Sequence, residues 1–215
     1  TRKSGVVTPY AGVVLDLNDT YSVYASYTNI FQPQTYYKTA SNTSLEPLQG
    51  DNYELGIKGE FYDGALNASL AVFEVQQKNT PQFVGESPEG REIYRAIAGT
   101  TTRGVETEVS GEVLPGWNII GGYTYRESHD KDGNRVETNQ PMNLFKLGTT
   151  YRLPGQLNRL TVGGNLVWQS DIYAVNGTYG TKAHQGDYGV VGLLANYAVD
   201  EHLTVGLNLN NLFDT

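Results

Sequence analysis

The 215 residues include no cysteine, which excludes a disulfide framework and a thiolate metal site. A net charge of −8 and a pI near 4.8 exclude the basic stripe that a nucleic-acid partner requires. No run of about 18 apolar residues occurs, and mean hydropathy is −0.41, so no helix of this chain is expected to cross a membrane.

The same low average is what a membrane β-barrel gives, because lipid-facing and lumen-facing side chains alternate and cancel. Sixteen tyrosines and 25 glycines, with turn signals at short intervals, point to an all-β chain. The chain opens without an initiating methionine or signal peptide and closes inside a strand pattern, so both ends read as cut.

In chain order the first predicted strand runs from Val7 to Leu17, and Asn18-Asp19-Thr20 turns it into a second, Tyr21 to Asn29. A long polar segment, 30–49, leads to a third at Asp51 to Phe61. Tyr62-Asp63-Gly64 then opens a fourth, Ala65 to Gln77. Beyond a second long segment, 78–102, come Arg103 to Val113, the turn Leu114-Pro115-Gly116, and Trp117 to Ser128. Met142 to Leu153, Leu160 to Ser170, Asp187 to Val199 and Leu203 to Phe213 complete ten. Further long segments are 128–141 and 171–186, and Asp200-Glu201-His202 joins the last pair.

Period-2 alternation carries this reading. Tyr53, Leu55, Ile57 and Phe61 share one face, while Asn52, Glu54, Lys58 and Glu60 share the other. Val105, Thr107 and Val109 likewise oppose Glu106, Glu108 and Glu112, and Leu203, Val205, Leu207 and Leu209 oppose Thr204, Asn208 and Asn210. A soluble sandwich also alternates, so strand length decides: the segments run about 9 to 13 residues, against about 5 to 6 in globular sheets and about 9 to 11 for a tilted membrane strand. Aromatics gather at both ends of the apolar faces. Tyr21, Phe61, Trp117, Tyr151 and Tyr197 lie beside the short turns; Tyr27, Tyr53, Tyr123, Phe145 and Trp168 lie toward the long segments. The fold class expected is therefore an antiparallel transmembrane β-barrel, with short periplasmic turns and long extracellular loops.

The residues themselves carry a resemblance. YASYTNIFQPQ (24–34), GTTTRGVETEVSGEVLPGW (99–117), PMNLFKLGTTYRLPG (141–155), LTVGGNLVWQS (160–170) and NLNNLFD (208–214) resemble TonB-dependent outer-membrane siderophore receptors of the ferric-pyoverdine and ferric-coprogen hydroxamate type. The resemblance implies that residues 1–215 are the C-terminal part of a 22-stranded barrel, about its twelfth to twenty-first strands. The plug domain, TonB box, early strands and last strand would lie outside it. It implies active import of a ferric siderophore energised by the TonB–ExbB–ExbD complex. The partners would be that complex, the receptor's own plug and outer-membrane lipid, with no nucleic acid and no catalysis. No cofactor is expected, since iron arrives as ferric-siderophore substrate.

Recognition of a bulky chelate favours rigid aromatics with polar side chains on the long loops and the upper lumen wall. The candidates are Gln32, Gln34, Tyr36 and Tyr37 in the first long segment, and Arg91, Tyr94 and Arg95 in the second. Arg126 near a strand end, and Tyr173 and Tyr179 in the last segment, complete the set. Loop tyrosines also serve as girdle or as loop packing. The acids Glu54, Glu60, Glu106, Glu108 and Glu112 are read as contacts for the plug or as partners of Lys58 and Arg152. Asp130-Lys131-Asp132-Gly133-Asn134 lacks the spacing of a calcium loop and reads as a hairpin tip. His129, His184 and His202 are too scattered for a metal site.

Rival functions are an outer-membrane receptor for haem, cobalamin or a glycan, an omptin-like barrel protease and a passive porin. The protease would rest on His129, Asp130 and Asp132, which share one loop tip rather than converging from opposite walls. The porin would need a basic row facing an acidic one, and no basic row is present.

Overall fold

The computed structural model describes residues 5–97, 99–175 and 181–214. Its strands in chain order are β1 (Tyr10–Asp16), β2 (Tyr21–Gln32), β3 (Leu48–Phe61), β4 (Leu66–Lys78), β5 (Thr80–Glu86), β6 (Glu92–Ile97), β7 (Thr100–Leu114) and β8 (Trp117–Asp130). There follow β9 (Arg135–Val136), β10 (Asn143–Arg152), β11 (Leu160–Gln169), β12 (Ile172–Val175), β13 (Lys182–Gln185), β14 (Tyr188–Ala198) and β15 (Thr204–Leu209). One antiparallel sheet runs β1-β2-β3-β4-β7-β8-β10-β11-β14-β15, with β9 attached to β8. These ten path strands are the ten expected from alternation. The sheet is an open arc with β1 and β15 at its edges.

Register follows from the short turns. Tyr53 lies opposite Tyr27, Ile57 opposite Val23 and Leu70, and Tyr123, Phe145 and Trp168 form one cross-strand row. At the short-turn end Tyr21 meets Phe61 edge-on at 5.8 Å, and Trp117 meets Tyr151 at 6.3 Å. Two aromatic rows thus border an apolar band, the arrangement of an outer-membrane wall. Eight residues separate Tyr53 from Phe61 along β3, which gives about 20 Å of height once the strand tilts by about 40°.

The apolar face has nothing packed against it. Leu55 is 59% exposed and Leu207 60%, and among the described residues no large side chain is fully buried. A stacked-sheet sandwich is excluded, because its inner face would bury these side chains.

Two differences from the sequence reading have local causes. The long connections are not plain loops: β5 and β6 form a hairpin, as do β12 and β13, because each runs out from the sheet and pairs only with itself. The last strand was expected to reach Phe213, but β15 ends at Leu209 and Asn211 adopts φ 51, a left-handed conformation that breaks the pleat.

The polar face also departs from expectation. Among the described residues no acid pairs with Lys58 or Arg152. Instead the Tyr24 hydroxyl donates to Glu54, Lys58 Nζ lies 4.9 Å above the Tyr24 ring, Thr124 donates to Glu106, and Glu112 accepts the Gly116 N–H. The Tyr24 ring lies across Gly56, where a Cβ would come within 2.5 Å of it. Tyrosine occupies this wall because glycine faces it. Between Glu106, Glu108 and Lys146, an inner-wall hollow of about 530 Å³ is floored by Ile120, Leu144 and Val167.

Candidate ligand-recognition site

At the long-loop end, the segment between β2 and β3 is fastened to the β5–β6 hairpin. Gln34 is 4% exposed, and its Nε2 donates to the carbonyls of Glu46 (2.8 Å) and Asn79 (2.6 Å). Asn79, at φ 63, donates its own Nδ2 to Pro47 O. Asparagine tolerates this left-handed conformation, which sends the chain from β4 into β5. Higher up, Tyr94 N donates to Lys38 O, and Arg91 donates to the carbonyls of Thr39 (3.0 Å) and Ala40 (3.3 Å). The rings of Tyr37 and Tyr94 meet at 4.8 Å, and Phe83 meets Tyr94 at 5.7 Å. Arg95 holds Gln82 Oε1 at 2.7 Å.

The sequence candidates therefore divide. Gln34, Tyr37, Arg91 and Tyr94 build a clamp between two extracellular segments. Tyr36, 92% exposed, projects from that clamp into open space, and Gln32 is exposed at the end of β2. Arg126 lies on the polar face and gives Nη2 to Glu137 Oε2 at 2.9 Å. Glu137, at φ 53, also accepts the Ser128 hydroxyl, which in turn pairs with buried Thr102. Tyr173 lies in a second clamp, its N–H on Thr138 O at 2.8 Å. Tyr179 lies outside the described residues.

Sequence reading missed Asn79 and Glu137. Only Asn before Thr-Pro gave a turn signal for the first, and no pattern marked the second. The hairpin-tip reading of Asp132-Gly133 holds: Asp130 Oδ1 accepts the N–H groups of Asp132 and Asn134, and Gly133 adopts φ 83. Among the described residues no group of three acidic or imidazole side chains is placed to hold a metal.

Burial pushes the Tyr94 hydroxyl up to about 12, aided by its hydrogen bond to Glu92. A tyrosine whose folded pKa is raised contributes its stability below the unfolded value near 10 and loses it as pH rises toward 12. The first clamp is expected to open between about pH 10 and 12, read by exchange of the Lys38 and Tyr94 amides. Tyr94→Phe should remove that alkaline transition. At the hairpin tip, the Ser87 hydroxyl holds the Glu89 carboxyl below the usual range.

A β-barrel family model described as TonB dependent receptor-like matches residues 1–212. The chain belongs to the TonB-dependent receptor β-barrel family. Transport receptors, not enzymes, make up that family, and its barrels lie in the outer membrane. The ferric-pyoverdine BN7/BN8 receptor of Pseudomonas putida is 45% identical over 214 residues, covering 99% of this chain and 25% of that protein. The ferripyoverdine receptor of Pseudomonas aeruginosa is 44% identical over 223 residues, with 99% and 27% covered. Its crystal structure bound to ferripyoverdine superposes with a TM-score of 0.84 at 43% identity, over 100% of this chain and 30% of that one. This receptor barrel thus spans about a quarter of the length of those curated relatives. Its short turns are periplasmic and its clamped loops extracellular.

Proposed function

We propose that this barrel serves the uptake of a ferric siderophore of the pyoverdine or hydroxamate type across the outer membrane. Identity of 44–45% to ferric-pyoverdine receptors along 99% of the chain, loops included, carries the reading. The geometry supports it: a loop clamp presents an exposed aromatic, Tyr36, above an inner wall bearing Arg126, Tyr24 and Ile120. Large rigid rings and a fixed guanidinium suit a bulky chelate rich in carbonyl and hydroxamate oxygens.

In this reading the TonB–ExbB–ExbD complex energises uptake, and a plug domain seated inside the barrel releases the cargo. Residues 1–215 form the C-terminal part of the barrel. Iron arrives as cargo, already chelated, rather than as a resident cofactor.

The test is a fluorescence-quenching titration of the complete receptor with ferric hydroxamates, ferric pyoverdines, haem and cobalamin. Saturable quenching by one of the first two classes is expected. Response to haem or cobalamin alone would overturn the reading. Tyr36→Ala is expected to weaken binding of the cognate chelate by about 1–3 kcal/mol, the range of an aromatic hot spot. The fold should be unaffected, since that ring packs on nothing.

A further inference from the structure

A pair of cations around Tyr173 falls outside the proposed site and carries an inference. Lys182 Nζ lies 3.8 Å from the centre of the Tyr173 ring, and the Arg135 guanidinium lies 5.8 Å from it. The two cations come from different extracellular segments, β13 and β9, joined where Tyr173 N–H meets Thr138 O.

Two like charges gathered on one ring repel, and the ring's quadrupole compensates only in part. A carboxylate would be the ordinary remedy, yet Asp171, Glu137 and Glu127 are engaged elsewhere, and among the described residues neither Asp130 nor Asp132 forms an ion pair with either cation. Asp171 pairs with His184 at 3.3 Å, Glu137 holds Arg126 and Ser128, and Glu127 is approached by His129 and the Tyr125 hydroxyl. Among the described residues neither Arg135 nor Lys182 has an acidic partner. The second clamp thus holds a preorganised positive site at the extracellular rim.

We infer that Arg135 and Lys182, held around Tyr173, form a subsite for a carboxylate carried by the incoming ferric chelate. A carboxylate stays ionised at neutral pH, and a guanidinium fork can bind both its oxygens. The inference rests on the siderophore-uptake reading and adds to it the substituent that the loops select.

The test uses the complete receptor in detergent and two ferric chelates that differ only in one side group, a free carboxylate or its carboxamide. Wild type is expected to bind the acid about tenfold more tightly, a ratio typical of one charge-assisted contact. Added salt should diminish that ratio. The double variant Arg135→Gln, Lys182→Gln should lose the preference while binding the amide as wild type does, so the amide reports folding. An unchanged acid-to-amide ratio in the variant overturns the inference, as does an equal fall for both chelates, which would mark the pair as structural or as a site for lipid phosphate. If wild type binds neither chelate, the uptake reading itself fails and the subsite falls with it.

Discussion

Ile57→Arg is expected to destabilise the complete barrel by about 2–4 kcal/mol, the cost of a basic side chain at the midplane on a lipid-facing wall. Ile57 sits midway along β3 between Tyr53 and Phe61, and its cross-strand neighbours on the same face are Val23 and Leu70. An arginine there has about four residues of strand to reach along in either direction before an aromatic row marks the interface, so its charge stays within hydrocarbon. The adjacent Lys58 already bears a charge on the lumen face, and Ser69, directly across from it, should accept arginine within about 0.5 kcal/mol. Denaturant unfolding in lipid vesicles compares the two variants. Equal stability of the two would mean that the apolar face does not meet lipid.

Gln34→Leu should dissolve the first extracellular clamp. The substitution keeps the volume of a buried side chain but strips hydrogen bonds from the carbonyls of Glu46 and Asn79. Each buried carbonyl left without a donor costs about 1–3 kcal/mol. That loss falls on a part of the molecule with few apolar contacts to offset it, Leu45 and Leu48 being the buried side chains nearby in sequence. The membrane wall has its own register and should keep its denaturation midpoint. Exchange of amides in 35–47 and 80–97 should accelerate together, and the cognate chelate should bind more weakly, because Tyr36 loses its platform. The same variant separates the two roles given to this segment. A loss of affinity with unchanged amide protection would place Gln34 in contact with ligand after all.

Much of the wall was legible because β patterning is local. Val105, Val109, Glu106 and Glu108 announce their faces within a few residues, and short turns such as Tyr62-Asp63-Gly64, all three at positive φ, fix the pairing of the strands they join. The aromatic rows followed for the same reason. The fate of the lumen acids was not legible: Glu54 takes a hydrogen bond from Tyr24, 30 residues away in sequence, rather than an ion pair with Lys58 on its own strand. The extracellular hairpins were missed because Thr80-Pro81-Gln82 and Glu92-Ile93-Tyr94 carry no long alternation.

By itself the sequence determined ten strands, their order in the chain and, where alternation is regular as in Tyr53 to Phe61 and Leu203 to Leu209, which side chains share the apolar face, since side-chain period and turn chemistry act over neighbouring residues. Only the tertiary structure decided what the loop side chains do. Gln34 reaches a carbonyl 45 residues on and Arg91 one 52 residues back, and such partners are brought together by the closing of neighbouring hairpins in space. No periodicity records that meeting. Only the fold separates Tyr36, left facing solvent, from Tyr37, committed to packing against Tyr94.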